Sequence, residues 1–137
     1  MNFRYLLEAI TTGSKTALIT TAVGSFGLFI YSAAASEKIV YLTYAVIAIA
    51  MVSVLLGGLQ SGLTAGSLGW FHGAVLALVY AVLVFIAKAY LFPVSGDFSA
   101  NSVFAAGLLL AGMAGGVTGV NLSFSRRSKV RRRYMGL

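Results

Sequence analysis

Few residues in this 137-residue chain can do chemistry, and two of them stand almost side by side. His72 and Trp70, the single histidine and single tryptophan, sit in the run Gly69-Trp70-Phe71-His72-Gly73. An imidazole with an unperturbed pKa near about 6.5 can relay a proton or ligate a metal. A metal centre takes three or four N, O or S ligands, and the chain has no second histidine and no cysteine. The expectation is therefore no metal and no cofactor. The plain reading of His72 is an interfacial residue whose ring bonds to a helix end; the sharper one places it in a permeation path. Tyr80 lies eight residues further on, on roughly the same helical face. Its hydroxyl needs a partner if the segment is in lipid. Gln60, Asn121 and Ser123 are expected at a depth similar to that of His72, so Trp70, His72, Tyr80, Gln60 and Asn121 form the candidate functional set.

Enzymatic constellations are missing. There is no nucleophile elbow, phosphate-binding loop, carboxylate pair or HExxH run, and Gly66-Ser67-Leu68-Gly69-Trp70 follows no strand, as a dinucleotide motif would. No catalytic residue is assigned, and no enzyme activity is expected.

The composition says what surrounds these residues. The chain is 59% hydrophobic and 9% charged, with a net charge of +7 and a mean hydropathy of +0.93, outside the range of water-soluble domains. Lipid is the solvent for most of it. Six of the ten basic residues, Arg126, Arg127, Lys129, Arg131, Arg132 and Arg133, fall in the last dozen positions. The positive charge thus belongs to a tail.

Taken in order, the chain reads as an all-α polytopic membrane protein with four transmembrane helices in two antiparallel hairpins. Phe3, Leu6, Leu7 and Ile10 have the spacing of a short amphipathic helix lying at the interface. The spans are placed at about 16–35, 39–59, 68–92 and 103–124, each near the roughly 20 apolar residues that cross a bilayer. Ser36-Glu37-Lys38 and the stretch from Pro93 to Asp97 are the turns between hairpin arms, and Ser99 or Asn101 is positioned to cap the last helix. Residues 60–68 read equally as helix or loop. Ala33-Ala34-Ala35 also permits a signal-peptide reading of the first span, although the run is longer than usual for one. Residues 125–137 read as a basic tail without fixed structure, attracted to anionic lipid and carrying no signature of specific nucleic-acid recognition.

Orientation follows from the excess of basic residues on the cytoplasmic side. With four spans, Arg4, Lys15 and the six tail cations share one side, against Lys38 and Lys88 on the other. Both termini and the 60–68 connection are expected in the cytoplasm. Lys88 can snorkel to the far interface, where Asp97 or Glu37 can pair with it.

Apolar side chains gain little from leaving lipid for each other, so packing in a bilayer depends on small residues that let backbones approach. Gly58, Gly62 and Gly66 recur every four residues, Gly69 pairs with Gly73, and Gly112/Gly116 and Gly115/Gly119 lie on adjoining faces of the fourth span. These faces can close a four-helix bundle, or one can be kept for a second copy or a larger complex. The glycine-rich ends of the second and fourth spans also suggest a parallel repeat about an axis along the membrane normal.

The stretch from Leu55 to Tyr80, LLGGLQSGLTAGSLGWFHGAVLALVY, resembles the YrzE-like small integral membrane proteins of bacteria in its glycine-rich run, its Gly-Trp-(apolar)-His-Gly motif and its following tyrosine. Gly69, Trp70, His72, Gly73 and Tyr80 carry the likeness. The resemblance implies a bacterial cytoplasmic membrane protein and brings no activity with it. Two expectations follow: an accessory subunit that docks through its glycine faces, or a small oligomeric channel with a polar seam near His72 and Tyr80.

Overall fold

The computed structural model describes the backbone of residues 3–34, 40–91 and 98–135, with side chains for 6–34, 42–90 and 101–125. Four helices account for every described residue except Gly66 to Leu68: α1 (Phe3–Ala34), α2 (Val40–Ala65), α3 (Gly69–Leu91) and α4 (Phe98–Met135). Each contains an apolar segment long enough to cross a membrane: Leu6–Ala34, Leu42–Ala65, Gly69–Tyr90 and Asn101–Ser125. The expected turns at 36–38 and 93–97, with any ion pair from Glu37 or Asp97, lie outside the described residues, as do the side chains of Arg4, Ser99 and the basic tail.

Two expectations about helix ends are corrected. The amphipathic start and the first span are one helix of 32 residues, roughly 48 Å long. No proline interrupts it, and its threonines satisfy themselves: Thr11, Thr12, Thr16, Thr20 and Thr21 each donate to the carbonyl four residues back. A hydroxyl so bonded costs little in lipid. The tail is likewise helical: α4 continues through the basic residues to Met135. Between Gly119 and Gly136 the sequence has neither glycine nor proline, and arginine and lysine are good helix formers.

The 60–68 connection also resolves. α2 runs to Ala65, and Gly66 ends it in the left-handed region, at φ 64. Its N–H reaches the Gly62 carbonyl at 3.0 Å, the bond of a left-handed helix cap. Three residues then turn the chain into α3.

Packing centres on α4. A Cβ placed on Gly58 would stand 2.5 Å from the Gly112 carbonyl oxygen, and one on Gly112 would stand 2.6 Å from the Gly73 carbonyl oxygen. Cβ atoms on Gly62, Gly69 and Gly73 would likewise strike the α4 backbone at Gly112 or Gly116, and those on Gly115 and Gly119 would strike α2 at Leu55 and Leu59. Main chain thus lies on main chain along three helices. Both glycine faces of α4 are occupied within the chain, the first of the two arrangements that their spacing allows.

The α2–α4 pair is parallel, and its contacts are related by a local two-fold. Shifting by 57 residues turns the Leu55–Gly115 approach into Gly58–Gly112, and Leu59–Gly119 into Gly62–Gly116. The bundle as a whole does not obey it. α3 packs on α2, whereas among the described residues α1 makes no contact with α4, so the suggested repeat is confined to this one interface.

Two glycine substitutions separate packing from helix propensity. Nothing lies within 4 Å of a Cβ on Gly27, whereas one on Gly116 would meet the Gly69 carbonyl. Gly27→Ala is expected to leave stability unchanged or raise it by up to about 1 kcal/mol. Gly116→Ala is expected to cost about 1–3 kcal/mol as an overpacked site. Reversible unfolding in mixed micelles measures both.

Candidate functional site

The site is best built outward from α3, whose inward face carries His72, Leu76 and Tyr80 one turn apart, each no more than 4% exposed. Leu68 opens the helix at φ 48, a left-handed conformation that glycine adopts more readily. Its carbonyl collects three donors: the N–H groups of Phe71 at 3.0 Å and His72 at 3.2 Å, and the imidazole Nδ1 of His72 at 3.0 Å. A carbonyl only accepts, so Nδ1 carries a proton and donates it to Leu68. His72 is thus bonded to a helix start, as its plain reading holds.

Tyr80 has the partner its depth requires. Its hydroxyl lies 2.7 Å from Thr21 Oγ1, and Thr21 Oγ1 donates to the Ala17 carbonyl at 2.8 Å. Thr21 has one hydroxyl proton, so Tyr80 donates to Thr21, and α3 is tied to α1 at mid-bundle. Between His72 and Tyr80, Leu76 is fully buried. Its Cδ1 lies against Gly13, and its Cδ2 would stand 3.2 Å from a Cβ on Gly57. An apolar side chain thus separates the two polar groups along this face.

The other members of the candidate set go elsewhere. Asn121 and Trp70 are exposed and Gln60 is half-buried, so His72 and Tyr80 share a face while Asn121 and Trp70 do not join them. Trp70 is 51% exposed near the α2–α3 turn, and Tyr31, Tyr44 and Tyr90 are exposed toward the opposite end, the two levels where interfacial aromatics collect. Lys88 donates to Asn101 Oδ1 at 2.7 Å, linking α3 to α4.

Two residues went unremarked in the sequence. Ser53 and Ser61 are fully buried, and neither hydroxyl has a hydrogen-bond partner. They stand at i and i+8 on α2 with Gly57 between them, a spacing that was available as a signal. Among the described residues no group of three or more potential ligands gathers to hold a metal.

Long apolar helices, aromatic rims and backbone-to-backbone glycine packing define the class: a multi-pass membrane protein of four helices. Residues 2–119 match a family described as protein of unknown function (DUF3792). The chain belongs to that family. No curated protein and no solved structure matches it.

The Tyr80–Thr21 bond is open to a double-mutant cycle. Tyr80→Phe and Thr21→Val are each expected to destabilise the protein, with a coupling of about 0.6 kcal/mol and at most about 1.7, the range of interhelical hydrogen bonds in bilayers. Unfolding in mixed micelles, read across the four proteins of the cycle, gives the value.

Proposed function

We propose that the protein is a non-catalytic accessory subunit of the bacterial cytoplasmic membrane: a self-contained helical anchor that presents a rigid basic helix on the cytoplasmic side, where both termini lie. The observation that carries this reading is the continuation of α4 as helix to Met135, past the last residue of its apolar segment at Ser125. Arg126, Arg127, Lys129, Arg131, Arg132 and Arg133 span eight positions of that extension, roughly 12 Å of helix. That length exceeds the Debye length of about 8 Å at physiological salt, so the cations nearest Ser125 feel an anionic leaflet most strongly. A cation held at such a surface contributes on the order of 1 kcal/mol. No acid intervenes.

Because the glycine faces are filled from within, association with a second copy or a larger complex falls to this basic end and to the lipid-facing surfaces. The motif Gly69-Trp70-Phe71-His72-Gly73 lies at the same end of the bundle and supports the narrower placement among YrzE-like proteins.

Extraction from native membranes into polymer-bounded lipid discs tests the reading. The discs are expected to be enriched in anionic lipid over the bulk membrane and to hold more than one chain. Replacing the six cations by glutamine is expected to return the lipid to bulk composition. A single chain in lipid of bulk composition would contradict it.

A further inference from the structure

Buried polar side chains are unevenly placed in this bundle. The interfaces of α4 with α2 and α3 are lined by glycine backbone. Of the buried polar side chains, Ser123 lies on α4, whereas Ser53, Ser61 and His72, with Tyr80, lie on α2 and α3, on the side that α1 covers. Helix register shows this. A Cβ on Gly13 of α1 would stand 2.8 Å from Ser61 Cβ and 2.7 Å from the Gly57 carbonyl oxygen, and one on Gly24 would stand 2.7 Å from Ile49 Cγ2. Antiparallel pairing between these points sets Thr21 opposite Ser53. Tyr80, bonded to Thr21, shares that level. His72 and Ser61 both lie on the opposite side of Leu76, toward the α2–α3 turn.

Three layers result under α1: hydroxyls of Thr21, Ser53 and Tyr80; then Leu76 against Gly13, Ala17 and Gly57; then Ser61 with His72. A buried hydroxyl without a partner costs about 1–3 kcal/mol, and two of them occur here. A water molecule with two to four polar partners removes such a cost, and each polar layer offers them. Opening the seam requires α1 to yield, and α1 is the helix least held: 6% of its most apolar 18 residues are buried, against 28 to 33% for the other three spans.

We propose that the α1/α2/α3 interface is a hydrated seam that admits water, and with it protons, from the α2–α3 turn to the level of Ser53, with Leu76 as its apolar gate. This goes beyond the accessory reading and does not depend on the basic helix.

The chain has no cysteine, so introduced thiols report hydration without background. Methanethiosulfonates react with the thiolate, which forms only where water reaches it. Ser61→Cys and Ser53→Cys are near-isosteric, and the controls Val54→Cys and Leu108→Cys are fully buried. Val54 Cγ1 lies 3.2 Å from a Cβ on Gly112, so Ser53 and Val54 compare the two interfaces at one depth.

In proteoliposomes, a small charged methanethiosulfonate is expected to label Ser61→Cys at least about a hundredfold faster than either control, since desolvation raises a buried thiol by several pKa units and each unit is a tenfold loss of thiolate. Ser53→Cys is expected to label more slowly than Ser61→Cys, and to speed up when Leu76→Ala is added. Ser61→Cys and Ser53→Cys as inert as Val54→Cys would overturn the proposal. If the Leu76→Ala protein does not fold, the Ser61→Cys against Leu108→Cys comparison decides alone.

Discussion

The bundle depends on the approach of α4 to two other backbones at Gly112 and Gly116. In water a helix can be held by burying an apolar face, but in a bilayer the lipid tails offer that face an equivalent contact. What distinguishes protein from lipid is the closeness of main chains, which multiplies dispersion contacts that are individually about 0.1–0.2 kcal/mol. At Gly112 and Gly116 there is no room for even one added carbon on the sides facing α2 and α3. Residues that elsewhere would weaken a helix here permit the structure.

This constraint divides the molecule in two. α2, α3 and α4 form a unit in which small residues leave the helices little freedom to slide. α1 joins it through Gly13, Ala17 and the Tyr80–Thr21 hydrogen bond, and most of its surface faces lipid. Ser53, Ser61 and Tyr80 lie at this second interface, while Lys88 and Asn101 pair between α3 and α4.

Much of this was legible in the sequence, because hydropathy and helix length measure the transfer of each segment into lipid directly. The four spans, the single-residue partner requirement of Tyr80 and the shared face of His72 and Tyr80 all follow from that and from helical periodicity. Helix continuity was not legible at the membrane boundary. Hydropathy falls at Arg126 and before Lys15, yet backbone hydrogen bonding does not stop where hydrophobicity does. Residues 60–68 were ambiguous for a related reason: glycines at every fourth position suit either a packed helix or a loop, and only tertiary contact with α4 selects the helix. The candidate set was harder. Sequence gives the depth of Gln60 and Asn121 but not the direction each faces around the bundle axis, so groups at one level were grouped although they point apart. Ser53 and Ser61 were overlooked since a serine in an apolar helix ordinarily bonds its own backbone and passes for a small residue.

The account rests on the glycine faces closing within one chain, and a cysteine pair across the α2–α4 interface tests it most directly. Met51 and Gly107 face each other there, with Met51 Cε 2.5 Å from a Cβ on Gly107. In native membranes, the doubly substituted Met51→Cys/Gly107→Cys protein treated with a short bifunctional methanethiosulfonate should be linked within single chains. Digestion and mass spectrometry should then join an α2 peptide to an α4 peptide in a monomer-sized species. Linkage predominantly between two chains, with the monomer left unlinked, would show that α4 packs against another copy and would contradict the account.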